Sequence, residues 1–173
     1  MLLKLVAKRN SKRWTYADLG KELFMSASQV FRSVERAEAA RLLSTPTIPP
    51  PSDFGGEPQM WMCPNHNNLM EFLIHGVKYA FPVQRGGPTR GFPTAEAAAP
   101  LNQHFPQDFP LPPVWPHAEG PLRGIAFPPL YKNVPQAARV DAKLYELLAL
   151  VDALREGRTR EKEIAIRELT ARY

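Results

Sequence analysis

The chain has 173 residues, with 22 Lys+Arg against 17 Asp+Glu, a formal charge of +5 and an isoelectric point near 9.5. Hydrophobic residues at 44% supply enough apolar material for an interior, so a wholly disordered chain is excluded. A lone Cys63 forms no internal disulfide, and no apolar run approaches the ~18 residues of a membrane span, so neither a disulfide-stapled domain nor a membrane anchor is expected.

The basic excess is not spread evenly. Residues 1–45 carry nine Lys/Arg against four Asp/Glu and no proline, which places the whole surplus in the first quarter of the chain. Such a concentration suits a polyanion-binding module. Its opening stretch, Met1 to Arg9, is interrupted by Lys4 and too short for a signal core, so a cytosolic protein is expected. Leu2, Leu3, Leu5 and Val6 predict a short first helix, followed by the cluster Lys8, Arg9, Lys12 and Arg13. Thr15 is placed to cap a second helix with Asp18 as its box partner and Leu19 and Leu23 facing inward. Phe24-Met25 is the turn. Ser26 then caps a third helix, and Ser26-Ala27-Ser28-Gln29 has the form of a capping box. Along that helix Val30, Val34 and Ala37 share one stripe, while Ser28, Gln29, Arg32 and Arg36 fall on the opposite face.

A short helix, a turn and a longer capped helix is how a helix-turn-helix presents its recognition helix to a major groove. The stretch from Thr15 to Val34, with Leu19, Leu23, the Ser26 to Val30 pattern and the pair Leu42-Leu43, resembles winged helix-turn-helix regulators of the bacterial MarR and GntR type. The resemblance covers residues 1–63. It implies a strand from Leu42-Leu43, a hairpin wing, and a return near Gln59 to Cys63. The sequence departs from the family in the wing, because Thr45-Pro46-Thr47-Ile48-Pro49-Pro50-Pro51 lacks the donors a regular ladder needs. Candidate DNA-binding residues are Lys12, Arg13, Lys21, Ser26, Ser28, Gln29, Arg32, Ser33 and Arg36. Cations would attract phosphates, Ser26 and Ser28 would anchor the helix start, and Gln29, Arg32 and Arg36 would face base edges. Each has a plainer alternative: Gln29 closing its own helix end, and Arg32 and Arg36 pairing along the helix with Glu35 or Glu38.

The remainder, residues 64–173, reads as a body. All 19 prolines lie between Pro46 and Pro135, yet that stretch also holds 11 of the 17 aromatics, among them Trp61, Phe72, Tyr79, Phe81, Trp115 and Phe127, which is unlike a linker. A helix from Asn68 to His75, capped by Asn68 with Glu71 and closed by Gly76, is predicted to lead into a strand over Val77 to Phe81. Gly87-Pro88-Thr89-Arg90-Gly91-Phe92 is echoed by Gly120-Pro121-Leu122-Arg123-Gly124-Ile125. The two copies are either similar turns entering short strands or a device that sets Arg90 beside Arg123 for an anionic partner. Leu144, Leu147, Leu148, Val151 and Leu154 mark one buried face of a helix from Ala137 to Arg155. Asp141, Glu146 and Asp152 read as solvated partners of Arg139, Lys143 and Arg155. Beyond Gly157, a second short helix carries Ile164, Ala165 and Leu169.

No chemistry-bearing constellation emerges. Cys63, His66 and His75 fall short of a four-ligand zinc set, Cys63 reads as buried and inert, and His104 and His117 lack a nearby nucleophile. Arg85-Gly86-Gly87-Pro88 lacks the ending of a phosphate loop. The expectation is an α+β protein without metal or cofactor: a winged-helix-like head, a proline- and aromatic-rich body with a few short strands, and a carboxy-terminal helical hairpin. Its expected function is sequence-specific binding of double-stranded DNA in transcription regulation, as a homodimer or with a protein partner held through the body. The alternative is an interaction adaptor or antitoxin-type protein whose working surface is Arg90, Arg123 and the second face of the Ala137 to Arg155 helix. An enzyme is not expected.

Overall fold

Three helices in the first part of the chain start where a short polar side chain, Thr15, Ser26 or Asn65, accepts from their first turn. A computed structural model describes residues 1–8, 14–44, 62–106, 110–156 and 158–172. They form two compact units, Met1–Met70 and Glu71–Tyr173, in a mixed α+β protein. In the first unit α1 (Leu2–Ala7), α2 (Tyr16–Leu23) and α3 (Ala27–Ala39) are followed by β1 (Leu43–Ser44), β2 (Cys63–Pro64) and α4 (His66–Glu71). Strands β1 and β2 are antiparallel, with Leu43 opposite Pro64 and Ser44 opposite Cys63. The core is built by Leu3, Leu5, Trp14, Leu19, Leu23, Val30, Val34, Leu43 and Leu69. The proline-rich segment 45–51, the residues 59–61 expected to return from it, and Arg9, Lys12 and Arg13 lie outside the described residues.

The unit boundary comes later than residue 63 because the start of α4 is tied to the first unit. Asn65 N–H donates to the Leu42 carbonyl, Asn68 Nδ2 donates to the Arg41 carbonyl at 2.8 Å, and Leu69 is buried. This also corrects the expected cap: Asn65, not Asn68, closes the helix start, its Oδ1 accepting from Asn68 N–H at 3.2 Å. Gly76 does not end the helix either. Its backbone stays right-handed helical (φ −105°, ψ −32°), the chain passes through a π-turn at Phe72–Gly76, and α5 (Val77–Ala80) continues it. The expected strand is therefore helix. Its apparent alternation reflects one inward residue, Val77, while Tyr79 and Phe81 are exposed. Cys63 is half-buried rather than buried, and burial pushes its thiol up from the ordinary value, away from reactive thiolate.

The second unit wraps a helix. α6 (Val134–Arg139) and α7 (Ala142–Glu156) replace the continuous helix expected from Ala137 to Arg155, because Asp141 caps α7 through a 3.0 Å bond from Leu144 N–H, and α8 (Thr159–Arg172) follows as the second helix. α7 and α8 pack together as the terminal hairpin. Every residue of α7 from Leu147 to Arg155 is buried, whereas Arg139, Val140, Ala142 and Lys143 before that stretch are exposed. Asp152 and Arg155 are among the buried residues, correcting their expected solvation. Asp152 Oδ2 accepts from Trp115 Nε1 (2.7 Å) and Thr94 Oγ1 (2.8 Å), and its Oδ1 accepts from Arg155 Nη1 (2.6 Å). Arg155 also donates to the Phe81 and Pro128 carbonyls. Glu146 pairs with Arg172 rather than Lys143.

Around α7 lie β3 (Pro88–Pro93), two 3₁₀ turns (Ala95–Ala97 and Leu101–Gln103), β4 (Pro113–Pro116) and β5 (Leu122–Ala126). The three strands close on themselves: β3 pairs antiparallel with both others, and β4 pairs parallel with β5. Closing so small a ring demands bare backbone. A Cβ on Gly91 would fall inside the Trp115 backbone oxygen, and one on Gly124 inside the Pro112 oxygen. Trp115 and Phe127 are fully buried, and Tyr145 Oη donates to the Pro93 carbonyl at 2.6 Å, so the described part of the proline-rich stretch around these residues is packed structure. The two G-P-x-R-G copies are cross-strand partners, with Arg90 directly opposite Arg123.

Candidate nucleic-acid interface

The helix pair α2–α3 is set by its two caps and the turn between them. Thr15 Oγ1 accepts from Asp18 N–H at 3.1 Å and donates to Asp18 Oδ2 at 2.8 Å. At the other end Phe24 takes the left-handed conformation (φ 55°), and Met25 N–H returns to the Gly20 carbonyl at 2.8 Å. A side chain at Gly20 would meet the Met25 oxygen at 2.6 Å, so glycine is what allows the turn to fold back so tightly. The capping box then forms in full: Ser26 Oγ accepts from Gln29 N–H (3.2 Å) and Gln29 Oε1 accepts from Ser26 N–H (2.9 Å). Of the two roles weighed for Gln29, closing its own helix end is the one its oxygen performs. Ser26 and Ser28 hydroxyls lie 3.1 Å apart at the same end.

Burial divides α3 as its periodicity predicts. Val30 and Val34 are sealed at 0% and 1% exposure, and Ala37 is buried, whereas Ser28, Gln29, Arg32 and Arg36 are exposed. Arg32 and Arg36 are one turn apart and stand within about 40° of each other around the axis. Ser33 Oγ donates to the Gln29 carbonyl at 2.8 Å and accepts from Arg36 Nη2 at 3.1 Å, so Ser33 steadies Arg36. Among the described residues, no carboxylate sits at ion-pair distance from Lys21, Arg32 or Arg36. The expected pairing with Glu35 or Glu38 is thus not formed. Those two acids act elsewhere: together with burial, their charges raise the Tyr16 phenol from its ordinary value. Tyr16 packs edge-on against Trp14 and Phe31 at ring separations of 6.0 and 5.5 Å.

Lys8 is not a free phosphate ligand. Its ammonium is 2.6 Å from Glu22, which Lys4 also meets at 2.8 Å. Partial burial opposes ionisation of Glu22, but its hydrogen bonds and the charges of Lys4 and Lys8 outweigh this and hold the carboxyl below its ordinary value. Arg41 was not foreseen. It stands in the left-handed conformation (φ 56°) just past α3, where Leu42 N–H donates to the Ala37 carbonyl and Arg41 N–H to the Glu38 carbonyl, both at 2.8 Å. That is the Schellman closure, usually signalled by glycine, and an arginine gives no such signal in the sequence. Arg41 is exposed and adds a cation at the carboxy-terminal end of α3.

No protein-family model, curated protein or solved structure matches the chain. Among the described residues no cluster of His, Cys, Asp and Glu is arranged to hold a metal, and no helix is long and apolar enough to cross a membrane.

Proposed function

We propose that the protein is a sequence-specific DNA-binding regulator of transcription that inserts α3 into a major groove. The observation that supports this reading is the outward face of α3. Arg32 and Arg36 stand exposed beside each other without carboxylate partners among the described residues, on a helix whose opposite face is fully buried. Paired α2 and α3 with the antiparallel β1–β2 link behind them have the order of a winged helix-turn-helix. Arg32 and Arg36 read base edges, where an arginine fork suits guanine O6 and N7. Lys21 and the Ser28 hydroxyl take phosphates, Ser26 and Gln29 hold the helix start in shape, and Ser33 orients Arg36. Lys12 and Arg13 add to the field that draws in the duplex. One such helix reads a few base pairs, so a homodimer on two half-sites completes the reading.

Selection from a random duplex pool, followed by titration of the enriched duplex at two salt concentrations, tests it. The parent binds the selected duplex well above random duplex and weakens steeply with salt. Arg32→Ala with Arg36→Ala removes the preference, at roughly 1–3 kcal/mol per arginine, and Lys21→Ala lowers the salt slope by about one while leaving the preference intact. A double variant that discriminates as well as the parent overturns the assignment.

A further inference from the structure

The second unit carries a cationic feature that the DNA reading does not use. In the register of β3 and β5, Arg90 faces Arg123, Gly91 faces Leu122, Thr89 faces Gly124 and Pro88 faces Ile125. The two G-P-x-R-G copies are thus related by a local two-fold axis passing between the arginines. Residues directly opposite in an antiparallel pair project from the same face with Cβ atoms roughly 5 Å apart, and two like charges there destabilise the ribbon. Both arginines are exposed. Five other arginines of this unit show what a settled partner looks like: Arg85 holds Glu156, Arg139 holds Glu119, Arg155 holds Asp152, Arg158 meets Glu96 and Arg172 holds Glu168, while Arg160 lies over the Phe105 ring and the exposed Arg167 has no carboxylate at ion-pair distance among the described residues. Among the described residues neither Arg90 nor Arg123 has a carboxylate within ion-pair distance.

The repulsion is built in rather than relaxed away. Gly91 and Gly124, each adjacent to one of the arginines, are locked against the Trp115 and Pro112 backbone, so the ribbon cannot shift register to separate the charges. From this we infer that the Arg90–Arg123 ribbon is a docking surface for an acidic, extended segment of another protein. Alternate carboxylates on an extended chain are roughly 6.6–6.8 Å apart, within reach of two guanidinium forks on facing residues. Arginine is the residue suited to hold such carboxylates in a bidentate manner. A polynucleotide is the poorer fit: its binding grows with the number of cations it meets, while residues 46–135 carry five Lys/Arg against six Asp/Glu. Exposed Pro88 and Pro121 flank the arginines and stiffen the rim.

The test uses the full chain labelled with nitrogen-15 and an acetylated peptide with Glu at alternate positions. Expected are shift changes confined to Thr89–Gly91, Leu122–Gly124 and the two arginine Nε–H signals, absent with the Gln version of the peptide. Arg90→Ala with Arg123→Ala weakens binding at least tenfold. Arg90→Glu with Arg123→Glu transfers binding to a Lys peptide, which shows that the variant ribbon is folded. Equal binding of the Glu and Gln peptides, undiminished binding by the alanine variant, or larger shifts at the ribbon with a random duplex than with the peptide would each overturn the inference. The inference is independent of the DNA reading: the α3 variants retain peptide binding, and the ribbon variants retain duplex binding.

Discussion

Asp152→Asn probes the buried junction of the second unit without changing its volume. Burial raises the Asp152 carboxyl above its ordinary value, and the Arg155 charge with the Arg155, Thr94 and Trp115 hydrogen bonds offsets that only in part. With donors on both oxygens, the carboxylate is the form the geometry accommodates. An amide cannot replace it. Placed with its oxygen toward Arg155, its NH₂ confronts the Trp115 Nε1–H, which can only donate; flipped, its NH₂ confronts the Arg155 guanidinium. Either way one charge-assisted bond is lost, at about 1.5–3 kcal/mol, and a buried donor is left unsatisfied, at about 1–3 kcal/mol. Together they come to about 2.5–6 kcal/mol, a range that contains the usual cost of breaking a buried pair, about 3–5 kcal/mol. For a unit of this size, at roughly 4–8 °C per kcal/mol, Tm falls by about 10 °C or more. Urea and thermal unfolding followed by fluorescence in a Trp14→Phe, Trp61→Phe background lets Trp115 alone report. Glu119→Gln, which frees the exposed Arg139, serves as the control and costs no more than about 1 kcal/mol. An Asp152→Asn variant as stable as that control would refute the reasoning.

Gly91→Ala or Gly124→Ala drives a methyl group into backbone oxygen and opens the three-stranded ring; near-ultraviolet circular dichroism should show the Trp115 signal lost, and an unchanged spectrum would sink this expectation. Arg41→Gly removes a left-handed non-glycine residue and raises the urea midpoint of the first unit by the equivalent of about 1 kcal/mol, while duplex affinity falls if the exposed cation contributes. Glu22 supplies a pH test. A carboxyl held low in the fold binds fewer protons than in the unfolded chain, so its stabilisation is present above the unfolded value of about 4.3 and is lost as pH falls through the lower folded value. The unfolding midpoint measured by far-ultraviolet circular dichroism therefore drops on acidification below about pH 4.3. Glu22→Gln flattens that limb, and identical acid limbs in the two proteins would count against the Lys4–Glu22–Lys8 contact.

What was legible in the amino-acid sequence was local. Thr15 with Asp18 and Ser26 with Gln29 close helix ends through bonds spanning three residues, and Val30, Val34 and Ala37 are inward because a helix repeats every 3.6 residues. Such signals need no knowledge of what lies across the core. The candidate residues of α3 were readable for the same reason, since a buried stripe fixes which residues remain outside. Arg41 escaped because its left-handed conformation is imposed by the closure of α3 and by Asn68 on its carbonyl, not by its side chain.

Long-range packing decided the rest. Asp152 resembles any acid three residues from an arginine on an amphipathic helix; only the arrival of Trp115 from β4 and Thr94 from just beyond β3 turns it into a buried acceptor of three bonds. Val77 to Phe81 alternates like a strand, yet Gly76 stays helical and the segment has no neighbouring strand to pair with among the described residues. The G-P-x-R-G echo was visible as a repeat, but whether its arginines meet depends on strand register. Register is set by where glycine lets two backbones touch in a closed ring, and no single stretch of sequence contains both sides of that contact.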